Sequence, residues 1–300
     1  MTAAGVAIAA AGLTKDFGSG RGVFDITLEV RAGEAFGFLG PNGAGKTTTI
    51  RTFMDLIHPS SGSARVFGLD SRADSIKVKQ LVGYAPGELA DWGQLRGAEV
   101  VAYVSGLRRT VEPAFVATLA ERLDLDLSTR YRVYSSGNRR KLALVLAVMH
   151  RPSLLLLDEP TNGLDPLIQQ EFFRLVSDLR QAGATIFMSS HVLSDVERIC
   201  DRVGIIRQGR MAEVASLEAI HRLRVRTLEV DFRGRMPEAA LAALPEVDSL
   251  QVDDHHLVCR VRGELTSALR LLAEAEVLSL VSREPSLEEV FLAHYGQDPT

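Results

Sequence analysis

The residues best suited to chemistry lie in one glycine-rich segment, Gly40-Pro41-Asn42-Gly43-Ala44-Gly45-Lys46-Thr47. Its spacing is that of a glycine, four residues and then Gly-Lys-Ser/Thr, a pattern whose backbone N–H groups can surround a phosphate. Lys46 would neutralise the β- and γ-phosphates of a nucleotide, and the Thr47 hydroxyl would bind Mg²⁺. The alternative is a glycine-rich loop with a solvated lysine, and about one chain in a hundred of this length would match the pattern by chance.

A pair of carboxylates, Asp158 and Glu159, follows four consecutive leucines that predict a buried strand. Carboxylates at the end of a buried strand are costly unless they serve a cation or a water molecule. Asp158 would therefore help to hold Mg²⁺, while Glu159 would orient and polarise an attacking water molecule. The alternative is an exposed acidic turn that binds nothing.

Two further segments carry polar residues where a phosphate could lie. His191 follows an apolar segment and two serines, and it could hydrogen-bond a γ-phosphate or a water molecule. An isolated histidine of this kind is more often structural, but its place beside the other two strand ends favours a function. Ser135-Ser136-Gly137-Asn138 opens a predicted helix, where serines and a glycine suit helix capping and anion binding equally well.

Strands alternating with helices would position these residues. The apolar segment 35–39 predicts a strand before the glycine-rich loop, and a helix is predicted after it at 48–57. Similar strand–helix pairs are predicted at 154–157 with 166–181, and at 185–190 with 193–200. Because ligands of open α/β sheets bind at the carboxyl ends of strands, we expect the loop, the carboxylates and His191 to meet at one edge of a mostly parallel sheet.

The other segments before residue 222 predict an antiparallel part and a helical insertion. Antiparallel strands are expected at 6–11 and 23–30, a hairpin-like pair at 203–207 and 210–214, further strands at 64–67 and 82–85, and helices at 71–81 and 138–149. Alternation in the strand 23–30 predicts two faces, one with Val23, Asp25 and Thr27 and the other with Phe24, Ile26 and Leu28. Residues 93–133 are mostly helical, so a helical subdomain is expected at about 93–150.

A change in composition near residues 222–226 predicts two domains, 1–222 and 223–300. Beyond it the predicted order is strand, helix, strand, strand, helix, strand, at 227–232, 237–244, 247–252, 257–261, 264–275 and 277–281. This order is typical of a small α+β ferredoxin-like domain, followed here by a last helix at 287–295. Asp253-Asp254-His255-His256 lies between two of the strands and is interpreted as a charged turn, not a metal site.

Composition limits the classes of protein to which the chain can belong. The 300 residues carry a formal net charge of −4 and a pI of about 6.0, which argues against wholesale binding of nucleic acid. The two cysteines, Cys200 and Cys259, cannot build a disulfide framework and suit a reducing cytosol. No segment approaches the roughly 18 apolar residues that would span a bilayer, so we expect a cytoplasmic chain whose membrane role comes through a partner.

In this order, the segments resemble the nucleotide-binding subunit of an ABC transporter over about residues 3–220. Segment 40–47 matches the Walker A motif, 154–159 matches the Walker B motif with its catalytic glutamate, and 135–138 stands at the place of the family signature. Gly163-Leu164-Asp165 is similar to the D-loop, His191 fits the switch histidine, and Phe17 resembles the aromatic residue that stacks on adenine. The resemblance implies a P-loop NTPase fold with an antiparallel β subdomain and a helical insertion.

The resemblance also implies an ATPase that works as a head-to-tail dimer with two ATP molecules between the subunits. Each ATP would lie between the Walker motifs of one subunit and the signature of the other, so the signature would act in trans. Lys46, Glu159 and His191 would be catalytic, and Thr47 and Asp158 would bind Mg²⁺. The residues that would bind ATP are Phe17, the eight residues from Gly40 to Thr47, Thr48, Ser135, Ser136, Gly137 and Asp165. The partner subunit is expected to be a second copy, with a different ATPase subunit as the alternative.

Departures from the family pattern concern how the nucleotide is sensed. Gly87 stands where the family's Q-loop has glutamine, while Ser136 and Asn138 replace the usual glycine and glutamine of the signature. The hydrolytic residues are all present, so an active ATPase is expected. Residues 86–88, 162–166 and 284–291 resemble the ABC-2 branch, which includes bacterial exporters of antibiotics, other drugs, lipids and sodium. Its chains carry one ATPase domain and a small C-terminal domain, and they pair with a separately encoded membrane permease.

Three functions are compatible with these residues. The leading hypothesis is an ATPase that powers export through a permease on the inner face of the cell membrane, with the C-terminal domain stabilising the dimer. The second is a soluble ABC ATPase acting on ribosomes or DNA, but those resemble tandem cassettes or a cassette split by a long coiled coil. The third is a regulatory protein whose C-terminal domain senses a ligand, although nothing in residues 225–300 indicates a pocket. The cargo cannot be read from this chain, because cargo is chosen in the permease.

Overall fold

The computed structural model describes residues 5–108, 110–218 and 225–283. Two structural units divide the chain, the first ending at Ala215 and the second beginning at Ser216. The domain boundary predicted at residues 222 and 223 falls among residues 219–224, outside the described ranges, and stays a prediction.

The first unit combines two sheets with helices. Its strands are β1 (Val6–Asp16), β2 (Gly22–Arg31), β3 (Ala35–Leu39), β4 (Ser61–Val66), β5 (Leu69–Asp70), β6 (Val82–Ala85), β7 (Leu154–Asp158), β8 (Thr185–Ser190), β9 (Arg202–Arg207) and β10 (Arg210–Ser216). Its helices are α1 (Lys46–Phe53), α2 (Ser75–Leu81), α3 (Gly97–Ser105), α4 (Pro113–Arg122), α5 (Ser136–Val148), α6 (Pro166–Gln181) and α7 (Leu193–Ile199). A 3₁₀ turn spans Tyr131–Val133.

A six-stranded sheet with the order β10-β9-β3-β8-β7-β6 forms the centre of this unit. The pairs β3–β8, β3–β9, β6–β7 and β7–β8 are parallel, which confirms the predicted α/β fold. Strands β3, β7 and β8 are buried along their whole length, as expected for strands covered on both faces. Because β8 lies between β3 and β7, the loops that follow these three strands lie side by side at one edge.

Aromatic packing fixes the phosphate-loop helix against this sheet. Phe187 of β8 lies at the centre, with ring centroids 5.7 Å from Phe36, 5.4 Å from Phe38 and 5.7 Å from Phe53 of α1. All four side chains are fully buried. Offset or edge-on aromatic rings attract one another, so each such contact stabilises the fold beyond the effect of burying apolar surface. The loop between β3 and α1 is therefore held at both ends by one apolar cluster.

A second sheet, with the order β2-β1-β4-β5, contains antiparallel pairs throughout and matches the predicted antiparallel part. Val23 and Ile26 were predicted to lie on opposite faces of β2. This prediction was wrong, because both side chains are buried. The cause is Asp25, whose φ of 56° places it in the left-handed region at a shift of the β1–β2 register. Such a bulge exchanges the two faces of a strand at the point where it occurs.

Helices α3, α4 and α5 and the 3₁₀ turn form the expected helical insertion. Helix α1 ends at Phe53, four residues before the predicted end, because Asp55 has a φ of 51° and the N–H groups of Leu56 and Ile57 donate back to the Arg51 carbonyl. Helix α2 starts at Ser75 instead of residue 71, since the side chain of Asp70 accepts hydrogen bonds from two following N–H groups and holds a turn.

The second unit contains β11 (Val225–Arg233), α8 (Glu238–Ala242), β12 (Val247–Asp253), β13 (His256–Arg262), α9 (Thr266–Leu272) and β14 (Glu276–Arg283). The strands form an antiparallel sheet with the order β12-β13-β11-β14, which is the arrangement of a ferredoxin-like fold. Both helices are shorter than predicted, and the helix expected at 287–295 lies outside the described residues. Asp254, with a φ of 51°, forms the turn between β12 and β13.

Alternating residues of β11 and β13 build the core of this second unit together with one face of each helix. The buried set is Leu228, Val230, Phe232, Met236, Leu241, Leu257, Cys259, Val261, Ala268 and Leu272. This unit therefore has a core of its own. Among the residues that the structure describes in either unit, no helix is long and apolar enough to cross a bilayer.

Candidate active site

The glycine-rich segment connects β3 to α1, in the strand–loop–helix context that its chemistry requires. Gly45 has a φ of 109°, and a Cβ there would lie 2.4 Å from a methyl group of Val23. A Cβ on Gly40 would lie 2.3 Å from the carbonyl oxygen of Ile206. Only glycine fits at these two positions, so the loop is packed tightly against β9 and β2 where it leads into α1.

Lys46 connects this loop to the second candidate segment. Its Nζ donates hydrogen bonds to the carbonyl oxygens of Gly40 at 2.6 Å and Pro41 at 3.2 Å. The same atom lies 3.0 Å from Oε1 of Glu159, with which it forms an ion pair. A phosphate entering the loop would take the place of Glu159 beside the ammonium group, because both are anions competing for one cation.

Asp158 is fully buried at the end of β7, directly opposite Ser189 of β8. Its Oδ1 accepts a hydrogen bond from the Ser189 hydroxyl at 2.6 Å, whereas Oδ2 has no hydrogen-bond partner among the described residues. A Cβ on Gly87 would lie 3.0 Å from that Oδ2. A buried carboxylate oxygen that lacks a donor, in a space that a side chain at position 87 would fill, fits a metal ion or its bound water.

Glu159 lies between the lysine and the histidine. Its φ of 50° is unusual for a residue with a side chain, and its N–H donates to the Ser189 backbone and hydroxyl oxygens, both at 3.2 Å. Nδ1 of His191 lies 2.8 Å from Oε2 of Glu159. The structure thus brings Lys46, Glu159 and His191 into one continuous chain of polar contacts, and the strained backbone aims the carboxylate at both partners.

A cleft of about 460 Å³ opens over the loop. Its walls include most of the segment 41–48, together with Glu159 and Phe17. The Phe17 ring is 54% exposed, as expected for an aromatic ring that is available to stack on a flat ligand. Arg21, Gln208 and Gly209 also line the cleft. The motifs did not reveal these three residues, because only the folded chain brings the β1–β2 connection, with Arg21, and the β9–β10 turn, with Gln208 and Gly209, beside the loop.

The signature and D-loop residues lie elsewhere in the unit. The described residues that line the cleft do not include Ser135, Ser136, Gly137 or Asp165. Ser135 caps α5 by accepting a hydrogen bond from the Asn138 N–H at 3.1 Å, so the capping interpretation holds, and Asp165 caps α6 in the same way. The two serines and Asp165 are exposed, which leaves them accessible to a second subunit.

Sequence reasoning missed two polar residues beside the carboxylates. Ser189 was noted only as part of a strand end, yet its hydroxyl contacts both Asp158 and Glu159. Arg140 of α5 was not noted at all, although it is buried and donates to the carbonyl oxygens of Pro86 and Gly87. An arginine among the apolar residues of a buried helix face was the available signal for the second.

Several known proteins are similar to this chain in sequence or in fold. Residues 23–162 match the sequence profile of the family described as ABC transporter. The bacitracin transport ATP-binding protein BcrA of Bacillus licheniformis is 32% identical over 296 residues, covering 95% of each chain. The linearmycin resistance ATP-binding protein LnrL of Bacillus subtilis is 32% identical over 310 residues, covering 95% of this chain and 97% of LnrL. Among solved structures, an ATP-binding subunit of an ABC transporter is similar with a TM-score of 0.66 and 26% identity, covering 72% of this chain and 92% of that one.

These similarities confirm the resemblance that the motifs indicated. Identity of 32% along nearly the whole of these two ATP-binding proteins covers both units of the chain. Cassettes of this family bind and hydrolyse ATP, dimerise, and act together with membrane permeases. The chain belongs to the ABC transporter family, as the ATP-hydrolysing subunit of an export complex.

Proposed function

We propose that two copies of this chain close head to tail on two ATP molecules and thereby drive a separately encoded ABC-2 type permease. The protein would lie on the cytoplasmic face of the membrane, held there by that permease. The observation that carries the proposal is the contact chain Lys46–Glu159–His191 beside a cleft that a phosphate loop and Phe17 line. It combines groups for binding a triphosphate with a carboxylate that can act on water.

Hydrolysis would depend on the release of Glu159 from Lys46. When the β- and γ-phosphates occupy the loop, Lys46 pairs with them, and Oε1 of Glu159 becomes available to accept a proton from the attacking water. His191 keeps hold of Oε2 and so fixes the orientation of the carboxylate. Asp158 Oδ2 and the Thr47 hydroxyl would hold Mg²⁺, which neutralises charge on the phosphates when bound.

The other half of each ATP site would come from the second copy. Ser135, Ser136 and Gly137 lie at the N-terminus of the 13-residue helix α5, where N–H groups and the helix dipole favour an anion. Gly137 packs against the D-loop, since a Cβ on it would lie 3.1 Å from the Gly163 carbonyl oxygen. Signature and D-loop therefore form one exposed surface that could close over the γ-phosphate bound to a partner.

The permease would dock into an apolar groove of about 500 Å³ between the helical insertion and the sheet. Trp92 and Tyr84 line it, and so does Ile76 of α2, which is 76% exposed. Exposed apolar side chains around a groove are typical of a protein interface. We propose an amphipathic helix of the permease as the occupant, because this family acts through a membrane partner. Pro86 and Leu89 line the groove on either side of Gly87, the residue that closely approaches Asp158.

The names of the relatives bear on the cargo. BcrA is named for bacitracin transport and LnrL for linearmycin resistance, and both align with this chain along nearly their whole length. We therefore propose an antibiotic or a similar drug as the exported molecule. The permease, and not this chain, would select it.

The deciding experiment follows dimerisation of the Glu159→Gln protein by size-exclusion chromatography with and without MgATP. Replacing the base should leave ATP binding intact, stop hydrolysis and trap the closed dimer, so a dimer should appear only when ATP is present. A protein that binds ATP but stays monomeric would contradict self-dimerisation and point to a different second ATPase subunit.

The same trapped protein tests the groove when it is mixed with the candidate permease. Ile76→Asp should dimerise normally and no longer bind the permease, because a carboxylate cannot be buried in an apolar contact. Val133→Asp is the matched control, since Val133 is 68% exposed and lies outside the groove lining. Equal permease binding by both variants would place the docking surface elsewhere.

A further inference from the structure

Arg140 is a buried arginine whose partners are backbone carbonyl groups instead of a carboxylate. The residue is only 7% exposed and lies in the second turn of α5, shortly after the signature. Its Nη1 donates to the Pro86 carbonyl oxygen at 2.5 Å and its Nη2 to the Gly87 carbonyl oxygen at 2.8 Å. Burying a guanidinium group is costly unless its geometry with hydrogen-bond acceptors is good, so this two-pronged contact needs an explanation.

The carbonyl groups that Arg140 holds belong to the segment that faces the metal-binding carboxylate. Gly87 lies so close to Asp158 Oδ2 that a Cβ would be 3.0 Å from it. Arg140 also feels the charges of Asp158 and Glu159: burial lowers its pKa from the usual value, while these two carboxylates act in the opposite direction. The segment 86–88 therefore contacts Arg140 through two carbonyl groups and approaches Asp158 closely at Gly87.

The same segment has a second attachment, to the phosphate-loop helix. Nη2 of Arg51 in α1 lies 2.7 Å from Oε2 of Glu88. Glu88 is exposed, so this ion pair contributes little stability by itself. It shows, however, that residues 86–88 are tied on one side to the helix that follows the phosphate loop and on the other to the helix that carries the signature.

We propose that Arg140 is a positioning residue that holds residues 86–88 against Asp158 and links the occupancy of the ATP site to α5. The link runs through the backbone because position 87 carries no side chain that could reach the nucleotide. A change in the position of Gly87 relative to Asp158 would reach α5 directly, through the two hydrogen bonds that Arg140 donates. The inference rests on the roles proposed above for Asp158 and Glu159.

A purely structural clamp would behave differently from a positioning residue. Loss of a clamp lowers the stability of the fold and weakens ATP binding and turnover together. Loss of a positioning residue lowers kcat and raises the Mg²⁺ concentration that is needed for half-maximal activity, with little change in the KM for ATP. Comparing the change in kcat with the change in the KM for ATP therefore distinguishes a structural clamp from a positioning residue.

The test compares Arg140→Gln, Arg140→Lys and Arg132→Gln in the full-length protein, with steady-state ATPase kinetics over a range of ATP and Mg²⁺ concentrations. We expect Arg140→Gln to lower kcat by about ten- to hundredfold while KM for ATP stays within about threefold. Arg140→Lys should recover part of kcat, since an ammonium keeps the charge but cannot reproduce the two-pronged fork. Arg132, an exposed residue of the 3₁₀ turn, provides the control and should behave as wild type.

Wild-type kcat and Mg²⁺ dependence in Arg140→Gln would overturn the proposal, as would a parallel loss of ATP binding and thermal stability in both Arg140 variants. Should Arg140→Gln not fold, the lysine variant alone decides, because a reduced kcat at unchanged KM and melting temperature supports positioning. Glu159→Gln, measured in the same assays, distinguishes a failure of the roles proposed for the ATP site from a failure of the positioning role proposed for Arg140. If it still hydrolyses ATP, the assigned roles of the site are wrong; if it does not, a wild-type Arg140→Gln refutes only the positioning role.

Discussion

At the scale of single residues, Glu159 is the group through which phosphate binding would be coupled to hydrolysis. One of its oxygens lies 3.0 Å from Lys46 Nζ and the other 2.8 Å from His191 Nδ1, so both are engaged. A triphosphate that pairs with Lys46 would release the first oxygen and leave the second in its contact with His191. With the roles proposed above, the arrangement would couple the arrival of the phosphates to the availability of the base.

Gly87 provides a test of the space beside Asp158. We expect Gly87→Ala to lower kcat by about tenfold, since the new methyl group would lie 3.0 Å from Asp158 Oδ2 and crowd the proposed metal position. The Mg²⁺ concentration for half-maximal activity should rise as well. Steady-state ATPase assays with varied Mg²⁺ measure both quantities.

Gly5→Ala serves as the control for this substitution, because a Cβ on Gly5 meets no atom within 4 Å. It should leave activity unchanged. Unchanged kinetics in Gly87→Ala would mean that the loop moves away from Asp158 at no cost, and that the close approach has no part in metal binding.

At the scale of elements, α5 joins three parts of the molecule. Its N-terminus carries the signature, Arg140 in its second turn holds residues 86–88, and His150 follows directly after its last turn. Nε2 of His150 donates to the carbonyl oxygen of Val82 in β6 at 3.2 Å, while Nδ1 is buried without a partner among the described residues. Both ends of the helix are therefore anchored to the sheet edge that leads into Gly87.

His150 should make stability depend on pH. Burial, and next the charge of Arg108, lowers its pKa to about 4, so the folded protein keeps the ring neutral. The unfolded chain, with a histidine pKa of about 6.5, binds more protons between those values, so stability is fully present above about pH 6.5 and is lost as the pH falls. We expect the free energy of unfolding to drop by about 2 kcal/mol between pH 7 and pH 5 from this group.

Urea titrations at the two pH values measure this loss. His150→Gln removes the titrating group and keeps a donor for Val82, so its unfolding free energy should change less between pH 7 and pH 5 than that of wild type. His58→Gln, at an exposed histidine, is the control and should retain the wild-type difference. The same pH difference in His150→Gln and wild type would assign the acid sensitivity to other groups.

At the scale of the whole molecule, each of the two units has its own apolar core. The second unit ends its sheet with β14, an edge strand on which four apolar residues, Val277, Leu278, Leu280 and Val281, are exposed. An exposed apolar edge strand is a surface that readily pairs with another chain. This supports the hypothesis that the C-terminal domain contributes to the dimer.

A chain that ends at residue 223 tests this role. In the Glu159→Gln background, the shortened protein should still bind ATP, because the phosphate loop and the cleft lie wholly in the first unit. The dissociation constant of its ATP-bound dimer should rise by about tenfold or more, since the dimer loses one of its two linked contacts. Analytical ultracentrifugation measures that constant, and an unchanged value would exclude a stabilising role.

Motif spacing predicted the centre of the site but not its surroundings. The contact between His191 and Glu159, and the meeting of three strand ends, follow from the rule that parallel strands present their carboxyl ends at one edge. The side of β2 that Val23 faces was mispredicted, because a bulge at Asp25 depends on register with β1 and not on local pattern. Ser189 and Arg140 escaped notice since their partners lie 31 and 53 to 54 residues away in the chain.

The sequence by itself determined the family and the α/β class, and it predicted Lys46, Asp158, Glu159 and His191 as the chemical groups of the site. It could do so because phosphate binding and water activation demand particular residue types at short, fixed spacings, which local sequence records directly. Only the tertiary structure decided that Lys46 pairs with Glu159, that Asp158 keeps one oxygen without a donor, and that Arg140 reaches the Gly87 carbonyl. Those contacts join segments distant along the chain, so they depend on strand order and helix packing, which no local spacing encodes.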